Sequence, residues 1–341
     1  MIGTKLDNEW IIVSVYGERD DATEPSTHAR GFVAKKEDGD LAFVKILELT
    51  LDPELSGKEA LLDLKTRIAQ FVYEEELLIK CQDKKIGRVV RHIQSGKIQS
   101  GENQTVEYLM FELAKQDLGK HCGPEAEIDT ESILTILHQV CVALETMHFY
   151  RITHQNLIPN AVSVFDDQNA KLGDLGRAHD RSSARPGQDG YLSCRDPVYA
   201  PLEQLYQMEI EDLKVRQLAA DLYFFGSLIA FVFTGVNITA LTCSHLQKEH
   251  HYQEWGGTYE DVRPYLFEAW EAAIEELDDS LDESISKEMC NLVRYLTHPN
   301  PRERGYPGEK VKSEGQFGLR RFSSRIDAMK KRYIIENKKV A

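Results

Sequence analysis

At 341 residues the chain is long enough for one two-lobed unit or two small domains, and its 42% apolar content suits a globular protein in water. A net charge of −15 argues against a surface that binds nucleic acid nonspecifically. Residues 1–15 hold no basic stretch followed by a long apolar run, so no signal peptide is expected, and the longest apolar stretch, 222–233, is too short to span a bilayer.

In chain order, residues 10–16 are rich in β-branched and aromatic side chains and predict a strand that ends at Gly17. A polar stretch follows, 18–30. Residues 31–34 and 41–47 then flank Lys36-Glu37-Asp38-Gly39, whose Asp-Gly pair predicts a hairpin. Leu61, Leu64, Ile68, Phe71 and Leu78 recur at three- and four-residue steps, with a gap near Glu75, and predict a long helix ending near Cys81. Two more strands are expected at 88–93 and 106–113, with Gly96 and Gly101 in the polar turn between them. The rest reads as helix. Ile133, Leu137, Val140, Leu144 and Met147 share a face, with Asp129 or Thr130 as N-cap. Residues 222–234 are apolar on all sides and predict a buried helix. The acidic stretch 267–289 reads as a solvated helical hairpin, and a basic helix starts near Leu319 with Phe322, Ile326, Met329 and Tyr333 on one face. Strands with one helix followed by helices predict an α+β arrangement in two lobes, not an alternating doubly wound sheet.

Six cysteines, Cys81, Cys122, Cys141, Cys194, Cys243 and Cys290, form no CxxC pair. They read as reduced thiols of a cytoplasmic protein rather than a zinc site. His250-His251 reads as a surface pair.

The segment Thr153-His154-Gln155-Asn156-Leu157-Ile158-Pro159-Asn160-Ala161 carries the most information. It resembles the catalytic loop of protein kinases, His-Arg-Asp-Leu-Lys-Pro-x-Asn, with the histidine, leucine and proline kept. Further marks follow in the family's order. Ala42-Phe43-Val44-Lys45 resembles the Val-Ala-Ile-Lys strand, and Glu74 would be the ion-pair partner of Lys45. Glu75 and Glu76 are rivals, but only Glu74 puts Leu78 one turn later, where the family has an apolar core residue. The long separation of Lys45 and Glu74 implies a helix extended at its N-terminal end. Asp174-Leu175-Gly176 resembles the magnesium-binding Asp-Phe-Gly motif. Tyr199-Ala200-Pro201-Leu202-Glu203 resembles Ala-Pro-Glu with one residue inserted, and Asp221-Leu222-Tyr223-Phe224-Phe225-Gly226 resembles Asp-x-Trp-x-x-Gly. Arg304 of Pro301-Arg302-Glu303-Arg304 would pair with Glu203.

The chain is thus similar to the protein kinase superfamily. The late motifs set it apart from small-molecule kinases of the aminoglycoside phosphotransferase type. The resemblance implies an α+β, two-lobed fold: a small β-rich N-lobe over 1–115, a larger helical C-lobe over 116–310, and a basic helical tail over 311–341. It implies that Lys45, Glu74, Glu112 and Ala114 bind ATP, that Asp174 binds Mg²⁺, and that His154 and Asn156 occupy the catalytic loop. His154, Leu175, Leu78 and Asp221 would build an internal spine joining the lobes.

Against that pattern stand several departures. Asn156 replaces the aspartate that accepts the substrate proton, and an amide is no base at neutral pH. Ile158 replaces the lysine on the γ-phosphate, and Ala161 the asparagine on the second metal. Asn160 is adjacent, and a one-residue shift would restore that ligand. No Gly-x-Gly-x-x-Gly loop covers the phosphates; Gly17 and Gly31 only flank a polar stretch containing Pro25. Phe43 stands where the family has a small alanine over the adenine ring; it either fills the pocket or belongs to the core of a strand with shifted register. Phe111 would be a bulky gatekeeper. Gln155 replaces an arginine, which argues against control by phosphate docking, although Ser182, Ser183 and Ser193 are available.

Two functions follow from these residues. One is a pseudokinase, a regulator or scaffold binding a protein partner, with residual ATP and Mg²⁺ binding. The other is an atypical but active Ser/Thr kinase. No nucleic-acid partner is expected. The basic tail, with Lys338 and Lys339 near its end, reads as a helix packed on the C-lobe, with 268–288 as its acidic counterpart; the alternative is a docking helix for an acidic partner or a membrane surface.

Overall fold

The computed structural model describes residues 1–16, 29–51, 55–99, 105–123, 126, 128–182, 197–308 and 315–337. Gly17, Pro25, Gly101, Ser183, Ser193, Cys194, Lys338 and Lys339, and with them most of the polar stretch after the first strand, lie outside the described residues.

The N-terminal part is an antiparallel sheet in the order β1-β2-β3-β5-β4. Its strands are β1 (Ile11–Val15), β2 (Ala29–Lys35), β3 (Leu41–Leu47), β4 (His92–Gln99) and β5 (Thr105–Glu112). The hairpin between β2 and β3 closes as its Asp-Gly pair predicts. Gly39 takes φ +99°, and Lys36 N–H donates to the Asp40 carbonyl at 3.0 Å. Alternation along β3 sends Ala42, Val44 and Ile46 into a core shared with Trp10, Ile12 and Tyr108. Phe43 and Lys45 therefore face the opposite way, where Lys45 reaches Glu74 of α1 (Gly57–Asp83).

Two expectations fail in this lobe. The strand expected at 88–93 is instead β4, His92–Gln99. Residues Arg88 and Val90 do make extended-chain hydrogen bonds, but with Leu172 in the helical lobe: Val90 N–H to Leu172 O is 2.8 Å, and Leu172 N–H to Arg88 O is 2.9 Å. Gly96 is not in a turn but inside β4 opposite Tyr108. A Cβ there would lie 2.8 Å from the Tyr108 hydroxyl and from Asp7 Oδ2, so only glycine fits. A polar edge strand carries little of the apolar alternation that marks a strand in sequence.

The helix α1 starts at a capping box made by Ser56 and Glu59, well before Glu74. Its buried face keeps only part of the periodic set, Phe71 and Leu78. Leu61 and Ile68 are exposed, and the inner face carries Arg67, Phe71, Glu74, Leu77, Leu78 and Cys81. Arg67 donates there to the carbonyls of Glu48 and Thr50 and pairs with Asp63 one turn back. A short strand β6 (Gln116–Asp117) and α2 (Leu118–His121) lead into the second lobe.

The second lobe is built on α3 (Thr130–Phe149), capped by Asp129, followed by β7 (Ile152–Thr153), β8 (Val162–Val164), β9 (Ala170–Leu172), β10 (His179–Asp180) and α4 (Leu202–Leu205). Next comes α5 (Leu213–Thr234). By length and composition α5 could cross a bilayer, being longer than its apolar stretch suggests, but 83% of its apolar window is buried inside the protein, as befits a core helix. After α6 (Ile238–Ser244) come α7 (Tyr259–Asp279) and α8 (Glu283–Thr297). They are two helices with a turn at 280–282, and they are packed rather than merely solvated. Leu266, Trp270, Ile274, Leu277, Met289 and Val293 are buried while the acidic side chains face out. His250 is buried too, stacked on Tyr265 at 3.7 Å, so it is no surface histidine. Finally α9 (Arg320–Asn337) lies on α3 and α8 through Phe322, Ile326 and Met329. Arg325 and Arg332 reach Glu288 of α8. The basic tail helix thus has its acidic counterpart within the chain.

Candidate functional site

Between the lobes the structure brings Lys45, Glu74 and Asp174 together. Lys45 Nζ donates to Glu74 Oε2 at 2.8 Å and to Asp174 Oδ1 at 3.0 Å. Asp174 adopts left-handed backbone angles, φ 52° and ψ 58°, which turn its carboxylate toward Lys45 at the end of β9. Half of its side-chain surface is open to the cleft. Lys45 holds the Asp174 carboxyl below the usual aspartate range, against the effect of burial. Burial alone would lower the Lys45 pKa, but Glu74 and Asp174 outweigh it and raise it. Burial raises the Glu74 carboxyl, offset in part by Lys45 and by the Leu175 N–H. These directions pull apart, Lys45 toward its charged form and Glu74 toward its neutral one. The ion pair prevails because two carboxylates serve one ammonium at contact distance.

Lys45→Met should therefore destabilise the fold by about 1–3 kcal/mol, the cost of a buried acceptor left without its donor. Glu74 would escape by taking up a proton. Its folded pKa then stands further above the unfolded value of about 4.3, so the stability it confers is present below that pH and lost as pH rises. Urea melts at pH 5 and pH 8 should show the larger deficit at pH 8; equal deficits would contradict this account.

The loop from His154 to Ala161 is anchored by Asp221, at no exposure on α5. Asp221 accepts from the His154 N–H at 2.8 Å and the Gln155 N–H at 2.7 Å. The Gln155 amide donates to Asp221 Oδ1 at 2.9 Å and to the Gln217 carbonyl at 2.8 Å. Those bonds hold Gln155 at φ 62° and turn its side chain inward. His154 Nε2 contacts the Gly173 carbonyl at 3.0 Å, and burial lowers its pKa, so it is a neutral structural ring. Leu78, His154, Leu175 and Asp221 are all buried.

Asn156 is buried in this loop, and Ile158 is half-buried. Ala161 lies beside the link between β9 and Asp174: its carbonyl accepts from Gly173 N–H at 2.8 Å. A shift by one residue does not restore the amide. Asn160 Oδ1 points at Gly119 of α2, where a glycine Cβ would meet it at 2.8 Å. Glu112, at the end of β5, spends its carboxylate on Lys171 at 2.6 Å and Arg91 N–H at 2.7 Å. Any contact of Glu112 with a ligand thus falls to its main chain. Ala114 follows, half-buried, in the connection between lobes.

The roof of the cleft is aromatic. The β3 register is not shifted: Phe43 faces Val33 and Phe111 across the sheet. Its ring lies 4.8 Å from Tyr16 and 6.1 Å from Phe111 between centroids, and a Cβ on Gly31 would come 2.7 Å from it.

Three interactions have no motif to announce them. Lys80, on α1, pairs with Asp180. Burial opposes ionisation of Asp180, but hydrogen bonds from Lys80 and Ser182 bring its pKa down to about 2. This contact ties α1 to the segment after Asp174. The Lys171–Glu112 pair and the Gln155–Asp221 contact are the others.

A five-stranded antiparallel lobe over a helical lobe, with a lysine–glutamate–aspartate cluster between them, defines a two-lobed kinase-type fold. The chain belongs to the protein kinase family, for the family model of the protein kinase domain matches residues 34–313.

Proposed function

We propose that this protein is a pseudokinase, a kinase-shaped regulator or scaffold for another protein that retains ATP and magnesium binding but transfers phosphate poorly. One observation carries the reading. The anchor Lys45–Glu74–Asp174 is assembled, while Asn156, Ile158 and Ala161 offer no base, no cation and no metal ligand. The residues present fit the phosphate end of a nucleotide: an ammonium held in place and an open carboxylate beside it. Magnesium, when bound with ATP, supplies charge neutralisation of the phosphates. It is commonly held by one or two carboxylates together with phosphate oxygens and water, so Asp174 suffices for one ion. Among the described residues no group of three metal-ligating side chains exists, and a second ion finds no side chain at Ala161. Phe43, Tyr16 and Phe111 narrow the roof over the base.

The test has two parts. Mg-ATP should raise the unfolding temperature of the full chain; saturation at a hundred times Kd corresponds to about 2.7 kcal/mol. The shift should be lost in Asp174→Asn. Incubation with Mg-ATP and a generic protein acceptor should give transfer near background. Robust phosphorylation that disappears in Lys45→Met would sink the proposal and establish an atypical Ser/Thr kinase.

A further inference from the structure

The outward face of α1 carries an apolar stripe that stands exposed among the described residues. Leu61, Ile68, Val72 and Ile79 are 61%, 37%, 38% and 43% exposed. At about 100° per residue these four side chains point within about 20° of one direction and run about 27 Å along the helix. The buried side of the same helix carries Glu74, so the stripe is separate from the cleft.

We propose that this stripe is the interface of a homodimer in which two copies of α1 pair antiparallel about a two-fold axis. The sequence of the stripe is self-complementary in that orientation. A two-fold centred on residue 70 sets Leu61 against Ile79 of the second copy and Ile68 against Val72 of the second copy. Such an isologous contact needs one patch that matches itself end for end. The charges beside the stripe decide the orientation. Lys58, Lys65, Glu76 and Asp83 are exposed and all lie about 40–60° to the same side of it. None of them has an ion-pair partner among the described residues. The two lysines occupy the N-terminal half and the two acids the C-terminal half. Antiparallel pairing brings Lys65 beside Glu76 of the second copy and Lys58 beside Asp83 of the second copy. Parallel pairing about a two-fold would put this flank on opposite sides of the seam, so the lysines would not meet the acids and the complementarity would be lost. Ala69, on the same flank, leaves room for close approach of the helices. The contact does not depend on whether the cleft binds nucleotide or transfers phosphate.

Sedimentation equilibrium of the full chain at micromolar to 100 µM concentrations tests this. The expected result is a species of twice the 38.9 kDa chain mass. Val72→Glu should weaken self-association at least a hundredfold while leaving the thermal unfolding of the monomer unchanged, since Val72 touches solvent. Lys65→Glu and Glu76→Lys should each weaken it several-fold. The double variant Lys65→Glu/Glu76→Lys should recover it, and so should an equimolar mixture of the two single variants, because in the mixed pair both contacts again join an acid to a base. A wild type that stays monomeric throughout, a dimer indifferent to Val72→Glu, or a double variant no better than its parents would each overturn the proposal. The first of these outcomes would leave the stripe to a different protein.

Discussion

Arg304→Met is expected to lower the stability of the fold by about 3–5 kcal/mol, a large part of what a single domain has. Arg304 has no exposed surface, and Glu203, its partner, is 2% exposed. The guanidinium donates to Glu203 Oε1 at 2.7 Å and Oε2 at 2.6 Å. It also donates to the carbonyls of Ala219 at 3.0 Å and His298 at 2.9 Å, and it lies over the Tyr223 ring. Removing it strands a carboxylate and two carbonyls far from water, so the loss exceeds the modest net worth of the contact itself. The double variant Glu203→Leu/Arg304→Met removes the stranded charge and should regain part of the loss, the two carbonyls remaining unpaired. Guanidinium melts of wild type, single and double variants would measure this order. A single variant within 1 kcal/mol of wild type would show that the pair is not the clasp its burial suggests.

That pair was legible in sequence because motif order names both partners. The same holds for Lys45, Glu74 and Asp174. A lysine within an apolar strand and an acid within a helix stand out locally, and the order of marks supplies the long-range pairing that periodicity cannot. Periodicity alone misled on α1. Its apolar residues occupy two faces, and the inner face also holds Arg67 and Glu74, so of the periodic set Phe71 and Leu78 point inward while Leu61 and Ile68 point out. The pairing of β4 was hidden for a different reason. Residues 88–90 look like a strand because they do bond as one, to Leu172 in the other lobe, while the true edge strand is polar. Lys80–Asp180 and Lys171–Glu112 were silent because surface-type residues carry no sign of a partner distant in sequence. The departures were the easier part: Asn156, Ile158 and Ala161 state their chemistry by type.

Restoring those three side chains together should raise phosphate transfer at least a hundredfold over the wild type, whereas Asn156→Asp alone should gain little. A positioned general base contributes about 10²–10⁴-fold, but only when the rest of the transition state is stabilised. With Ile158 in place the loop itself brings no cation to charge developing on the transferred group. With Ala161 in place no side-chain amide is available at the position where the family resemblance puts a metal ligand. Asn156→Asp adds a base to a site that still lacks both. The triple variant Asn156→Asp/Ile158→Lys/Ala161→Asn adds all three to a scaffold whose Lys45, Glu74 and Asp174 are already in contact. The loop should tolerate the changes unequally. Ile158 is half-buried and can send a lysine into the cleft, whereas Ala161 is 2% exposed, so its amide must find partners at once. Initial rates at saturating Mg-ATP, with Asp174→Asn in the same background as the blank, would measure the gain. Thermal melts of each variant would separate lost chemistry from lost folding. A triple variant that folds, binds Mg-ATP and still transfers nothing would place the block in the aromatic roof around Phe43. A single Asn156→Asp variant as fast as the triple would reduce the proposal to one missing base, because Ile158 and Ala161 would then be shown to do no harm.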